Sequence, residues 1–502
     1  MFLLYLTCDI AEQKVSLRKR VVQSREQEPP DVTRVKVRTT AVLTELALSL
    51  PIEIAIAQNR FGLGAGGEDV PTDPKSSLLA QLHAYQSTPP TLSGLADSTT
   101  LGRTFTTRMA EAGRIEDKAE QTAARGQVRQ WAREVCRNEI DARVRVALSS
   151  PAPFIERLVH FWSNHFAVSV QKPQVYLMAG AFEREVVRPH VLGRFEDMLL
   201  AAERHAAMLI YLDQGQSSGP NSQAATRAAS RGGRGRFGIN ENLAREIMEL
   251  HTLGVRSGYE QADVTEFALA LTGFGIGTVK QSDAGYFLFR PGRHEPGERR
   301  ILGKTYAQEG EQQALAVLRD LATAEATAMH IATKLARHFI ADDPPTAAVE
   351  RLAGAFREAR GDLSAVYEAL IASPEAWQPA PAKFKTPWEW TISALRGLGM
   401  DHIEKPPAPR LLTQLGQPVW QPGSPAGYDD IAGSWAAPGA LLRRVEAARL
   451  LAARAGDVDP RLLAQRLFAG TLSEATQTEV ANAESVRTGV ALLLVSPDFQ
   501  RR

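Results

Sequence analysis

Helical periodicity runs through almost the whole of this chain, and it limits the possible folds more than any other feature. Apolar residues recur three and four positions apart, in stretches rich in alanine, leucine, arginine and glutamate, residues common in helices. Segments at about 75–86, 105–125, 126–149, 152–166, 240–253, 261–271, 311–322, 324–341, 345–359 and 362–373 read this way. The chain from Lys383 onward is again mainly helical. Strand character is confined to "YFLFRPGRHEPGERRILGK" (286–304), where two short runs flank a Pro/Gly turn and predict one β-hairpin. The expected fold is mainly α: a multi-helical body with one small β-hairpin and a helical C-terminal portion. Three apolar helices end in Ser-Pro ("ALSSPAPF", "LIASPEAW", "LLVSPDFQ"), as if sharing one helix–turn–helix joint. Their spacing is too wide and unequal for a solenoid.

A length of 502 residues allows about three domains of ~150 residues and one or more large cores. The expected division is a leader over 1–50, disordered or read from an upstream start codon, then a main helical domain over 51–380 and a helical portion over 381–502 packed on it. A net charge of +1 argues against a dedicated nucleic-acid binder, which is usually clearly basic. Two cysteines, Cys8 and Cys136, make neither a disulfide framework nor a four-ligand zinc site. No transmembrane segment is expected: the longest apolar stretch, 41–57, carries Glu45, Pro51 and Glu53. The opening "MFLLYLTC" lacks the basic region of a signal peptide. The stretch 214–238 is rich in Gly, Ser and Ala, with Arg227, Arg231, Arg234 and Arg236, and reads as a flexible surface loop: a solvated linker or a mobile basic lid.

The densest polar stretch is "NENLAREIMELH", Asn240 to His251. At 100° per residue, Asn242, Glu246 and Glu249 share a stripe with Arg245 at its edge, and His251 lies roughly opposite Glu249. Asn240 and Glu241 suit a helix start and Gly254 suits its end. The stripe is either a solvated face with an Arg245–Glu249 pair or an inward carboxylate wall. The next helix carries Asp263 and Glu266 three residues apart, a spacing that can build a metal or acid–base site between paired helices. In "ERLVHFWSNHF", His165 shares the apolar stripe of Phe154, Leu158 and Phe161 and is expected inward, with His160 and Asn164 on a more polar side. The hairpin tip offers Arg293, His294 and Glu295, followed by Lys304. "KLARHF" offers Lys334, Arg337 and His338, read as a charged helix end. No Walker A, HExxH or G-x-S-x-G motif occurs, and the glycines of "RFGLGAGG" lack a strand–turn–helix setting.

Several blocks occur in order: "LVHFWSNHFAVS", "MLIYLDQGQS", "NENLAREIMELHTLGV", "QADV", "ALTGF", "HEPG", "IATKLARHFIADDPP", "GQPVWQP" and "AGY". Together they resemble the bacterial domain of unknown function 1800 family, over roughly Asn59 to Arg502. The family carries no established reaction. The resemblance implies export and a sulfatase-like partner of the domain of unknown function 1501 family. It also implies a shared polar cavity, because the family pattern includes His165, Asn240, Glu241, Asn242, Arg245, Glu246, Glu249, His251, Asp263 and His294. The chain departs from the pattern at Leu243, where a tyrosine is usual, and at Glu295, where an aspartate is usual.

The expectation is an enzyme, hydrolase or oxidoreductase, that depends on a divalent metal ion. His165, Glu249, Asp263 and Glu266 would be its ligands, with Glu246, Glu249, Arg245 and His294 as catalytic groups. One alternative is a metal-free, glycosidase-like carboxylate pair with Trp420, Tyr428 and Trp435 stacking sugars. Another is a non-catalytic accessory protein for the sulfatase-like partner.

Overall fold

Helix boundaries follow local capping chemistry. The computed structural model describes residues 51–66, 72–230, 238–277, 286–403 and 405–502. The leader expected over 1–50, and Arg231, Arg234 and Arg236, lie outside these residues. Helices Pro74–Ala84, Pro153–His165, Gln261–Ala270, Glu311–Ala322, Glu325–Phe339, Thr346–Glu358 and Leu363–Ala372 stand close to where periodicity placed them. The stretch read as helices over 105–125 and 126–149 divides elsewhere, into Ser98–Gly113 and Lys118–Ser149. The reason is capping: Asp97 accepts from the Thr100 N–H and Asp117 from the Glu120 N–H, each closing a first turn. Gly126 then lies inside the second helix with open space around it, where a glycine is tolerated.

The expected hairpin over 286–304 is corrected. Two separate two-stranded antiparallel sheets form: β1 (Phe274–Ile276) with β2 (Phe287–Phe289), and β3 (Arg299–Ile301) with β4 (Lys304–Tyr306). The run 287–289 therefore pairs backward with 274–276 rather than forward across the Pro/Gly turn. Between the sheets, Pro291–Arg293 is a short 3-10 turn. The described part of the 214–238 loop is also packed. Gln214–Gln216 is a 3-10 turn and Gln223–Ser230 a helix, with Ser217, Ser218 and Ser222 buried. Buried Glu295 holds it, accepting from the Asn221 backbone N–H at 2.8 Å and from Asn221 Nδ2 at 2.6 Å. Gly219 passes so close that a Cβ there would lie 2.4 Å from a Glu295 oxygen.

Pro51–Arg502 is one compact unit with two main apolar cores. The larger is built from helices across 56–377 and takes in Trp388, Ile392, Leu412, Val419 and Trp420. The smaller joins Ala65 to residues between Trp390 and Phe499. The Pro387–Leu398 helix serves both, sending Trp388 and Ile392 to one and Trp390, Ala394, Leu395 and Leu398 to the other. "TPWE" opens that helix with a capping box: Glu389 Oε2 accepts from the Thr386 N–H at 2.9 Å, and Thr386 Oγ1 accepts from the Glu389 N–H at 3.3 Å. Among the described residues, no helix is long and apolar enough to cross a membrane.

Candidate functional site

The helix pair expected to carry the chemistry is engaged with itself. Asn242 opens the first helix, which runs as α-helix to Glu246 and widens into a π-turn over Ile247–His251. Glu241 accepts from Arg245 at 3.1 Å, from Gln261 at 2.9 Å and from Thr265 at 2.8 Å. Arg245 also reaches Glu249 at 3.6 Å. Glu246 is half-buried, and burial raises its carboxyl above the usual range. Asp263 Oδ2 accepts from the Glu260 N–H at 2.8 Å, closing a capping box, and its Oδ1 accepts from the Leu302 N–H at 2.7 Å, tying down the β3–β4 turn. Glu266 pairs with Arg299 at 3.4 Å. His294 donates Nδ1–H to the Thr272 carbonyl at 3.0 Å, and burial lowers its pKa.

The structure therefore disperses His165, Glu249, Asp263 and Glu266. Asp263 and Glu266 face the β3–β4 hairpin, Glu249 pairs with Arg245, and His165 is buried at the edge of a different cavity. Among the described residues, no group of three or more His, Cys, Asp or Glu side chains is placed to hold a metal ion. His251 lies on the buried side, its Nδ1 2.8 Å from Glu203 Oε1. The carbonyls of Leu250 and His251, left over at the helix end, accept from His330 Nε2 at 3.0 Å and His165 Nε2 at 3.1 Å.

A cavity of about 310 Å³ forms elsewhere, where four helices and a loop meet. The Pro153–His165 helix contributes Arg157, His160, Asn164 and His165, and the Lys118–Ser149 helix contributes Arg143. The Glu325–Phe339 helix buries Ile331, Leu335 and Phe339 and turns Lys334, Arg337 and His338 to the cavity, residues three and four apart sharing a face. Trp388 and Glu389 and a loop from Gln417 to Ile431 close it. Asn164 fixes that loop. Its Oδ1 accepts from the Tyr428 N–H at 2.7 Å and its Nδ2 donates to the Tyr428 carbonyl at 2.8 Å. Gly427, at φ +81°, passes so close that a Cβ there would lie 2.4 Å from the Asn164 carbonyl oxygen, so no other residue fits.

Four buried polar atoms without a hydrogen-bond partner belong to residues lining this cavity. Trp388 Nε1–H donates to His160 Nδ1 at 3.0 Å, which puts the His160 proton on Nε2, and that N–H has no partner. His165 donates through Nε2, leaving Nδ1 open. His338 donates Nδ1–H to Asp430 Oδ2 at 2.5 Å, leaving Nε2 open. Trp420 Nε1 is likewise unpartnered. An unsatisfied buried polar atom costs about 1–3 kcal/mol, so four on residues lining one cavity make it the candidate site.

Charge follows the same division. Arg157 pairs with Glu389, whose carboxylate also takes Arg502 at 2.9 Å. Burial alone would raise the Glu389 carboxyl, but Arg502 and Arg157 outweigh it and hold it well below the usual range. Asp430 is likewise held low, since His338, Lys383 and Arg502 overcome its burial. Arg143 lies 4.3 Å over the Trp388 ring and 5.5 Å from Trp420, with its Nε on Glu183 at 2.7 Å. Lys334 and Arg337 differ: among the described residues neither pairs with a carboxylate, and Arg337 donates only its Nε, to the Asp342 carbonyl at 3.1 Å. Burial, with Arg337 adding to it, lowers the Lys334 ammonium to about 8 despite Asp430 nearby. Burial also holds the His160 and His165 imidazoles well below 6.5, and it outweighs Asp430 to lower His338.

Of the residues singled out in the sequence, His165, Trp420 and Tyr428 reach this cavity, together with His160, Asn164, Lys334, Arg337 and His338. Trp435 packs behind it, 6.1 Å from the Tyr428 ring. Sequence reasoning missed Arg143, Arg157, Glu389 and Asp430. The capping-box pattern "TPWE" was the one local signal for Glu389.

Searches among curated proteins and among solved structures gave no match. A family model matches residues 56–501, which takes in every residue lining the cavity. The chain thus belongs to the family described as protein of unknown function (DUF1800).

Proposed function

We propose that the chain is an enzyme that holds a small anionic substrate in the 310 Å³ cavity and moves protons through His338. The observation that carries this is the His338–Asp430 pair, 2.5 Å apart, which leaves His338 Nε2 unpartnered on a cavity-lining residue, in the same cavity as the two cations without a carboxylate partner, Lys334 and Arg337. A carboxylate bound to Nδ1–H fixes the imidazole tautomer and its orientation, and stabilises the imidazolium formed when Nε2 takes a proton. The lowered pKa keeps His338 neutral, and so able to accept a proton, near pH 7. Lys334 and the Nη edge of Arg337 would neutralise a carboxylate, phosphate or sulfate that no protein carboxylate already occupies. The half-enclosed, aromatic-lined cavity strengthens both interactions by excluding water.

The test is thermal unfolding of the purified protein with oxalate, malonate, phosphate and sulfate. A ligand at a hundred times its Kd stabilises by about 2.7 kcal/mol, a readily measured shift. At least one anion is expected to raise Tm, and Arg337→Gln to abolish the rise. His338→Gln is expected to keep binding and lose turnover of any substrate found by screening esters and acids of the binding class. No shift with any anion at millimolar concentration would defeat the proposal.

A further inference from the structure

We infer that Lys334 is a carbonyl-reactive amine, forming an imine with a small aldehyde or ketone that carries a carboxylate, a 2-oxo acid being the simplest case. This rests on the cavity being an anion site and goes beyond it by naming the substrate class and a covalent step. Three side chains on one helix face supply what the step requires. Lys334 lines the cavity and, among the described residues, makes no hydrogen bond or ion pair, so its amine is not held by a carboxylate. Arg337, one turn further on, has its Nε on the Asp342 carbonyl and keeps its Nη edge for a carboxylate. His338 presents an imidazole nitrogen with a free lone pair, its other nitrogen on Asp430.

The atoms balance without a further reactant. The neutral Lys334 amine adds to the carbonyl carbon, and its first proton passes by way of His338 Nε2 to the carbonyl oxygen, which becomes the carbinolamine hydroxyl. The second nitrogen proton reaches that hydroxyl by the same relay as the C–O bond breaks, so water leaves with both protons and the C=N bond of the imine forms. The carboxylate on Arg337 holds the carbonyl beside the amine throughout. The environment of Lys334 favours the neutral amine that such an attack needs, since burial brings its pKa to about 8.

Low basicity alone would choose a different lysine. Lys385 is lowered further, to about 7, mainly by burial. Its Nζ lies 3.2 Å from Ser393 Oγ and 4.0 Å from the Phe499 ring centroid, and the residue does not line the cavity. Lys383 does not line the cavity either, its Nζ held 2.5 Å from both Asp342 Oδ1 and the Asp430 carbonyl. Geometry and basicity therefore make opposite choices.

The experiment is reductive trapping. The whole protein is incubated with pyruvate or glyoxylate and sodium cyanoborohydride, and the adduct is located by peptide mass spectrometry. Binding of oxalate, which has the carboxylates but no ketone or aldehyde, is followed in parallel by thermal shift. The expected result is one dominant adduct on Lys334, absent in Lys334→Arg, and reduced at least about tenfold in Arg337→Gln, a loss of ~1.4 kcal/mol of carboxylate binding. Acetone should label Lys334 far less than pyruvate. A dominant adduct on Lys385, or labelling spread over surface lysines with none on Lys334, overturns the inference. If oxalate binds while no Lys334 adduct forms, the imine is excluded and the anion site stands. If neither occurs, both fall.

Discussion

The helix pair spanning Asn240 to Glu266 and the cavity between the Pro153–His165 and Glu325–Phe339 helices are both crowded with charge, yet they differ in how that charge is satisfied. In the first, Glu241, Asp263 and Glu266 each meet a donor, and Arg245 lies between Glu241 and Glu249. In the second, three imidazole nitrogens and an indole N–H are buried without partners, against one imidazole nitrogen, His251 Nε2, in the first, and two cations form no ion pair with a carboxylate among the described residues. The comparison teaches that density of ionisable residues does not identify a site. The first network closes almost wholly on itself, whereas the second leaves open groups that a bound polar group could complete.

The comparison can be broken or sharpened by substitution. The largest effect is expected at Glu389, which neutralises buried Arg157 and Arg502. Glu389→Ala leaves both charges uncompensated and should cost ~3–5 kcal/mol, read as a lower denaturation midpoint. Asn164→Ala removes two hydrogen bonds to the Tyr428 backbone and should cost ~1–2 kcal/mol, with faster proteolysis near Tyr428. Glu249→Gln should fall within ~0.5 kcal/mol of the parent and leave anion binding unchanged, because its pair with Arg245 is half-exposed. If Glu249→Gln abolished binding while Lys334→Met did not, the roles of the two regions would be exchanged.

Lys334→Met sharpens the contrast through pH. The Lys334 pKa is lowered from 10.5 to about 8 in the fold, so the unfolded chain binds its proton more tightly. The residue therefore destabilises the protein fully below pH 8, and the penalty fades as pH rises from 8 to 10.5. Lys334→Met should be the more stable protein near neutrality, with a gap that narrows over that interval, while its anion binding is lost. A structural lysine held by a carboxylate would give the opposite sign.

Acid stability is expected to change as well. His160, His165 and His338 are lowered below 6.5, and His330 to about 4, burial being the largest cause in each. The unfolded chain takes up these protons first, so stability should decline as pH falls below 6.5, above the range of ordinary carboxylates. His160→Gln keeps an acceptor for the Trp388 N–H and should make that decline shallower. An unchanged slope in equilibrium unfolding from pH 7 to 4 would contradict the assignment of His160 as a neutral, buried imidazole.

Local chemistry by itself determined the mainly α class, most helix positions and several helix ends. Periodicity, proline, glycine and capping aspartates act within one turn of the chain, so no distant contact is needed to read them. Family membership was legible too, in blocks of consecutive residues. His165 was placed inward correctly because an imidazole on an apolar stripe must follow that stripe. Only the tertiary structure decided that the 287–289 run pairs backward, since two strands of three residues accept many partners and packing selects among them. It alone brought the candidate cavity's residues together as well. Arg143, His338 and Asp430 are separated by 195 and 92 positions, and their meeting depends on how four helices and a loop pack. A helix face shows which residues share a direction, but what that direction meets is set by the rest of the fold. "NENLAREIMELH" and "KLARHF" look alike as charged helices, and the difference between them is whether a partner lies opposite.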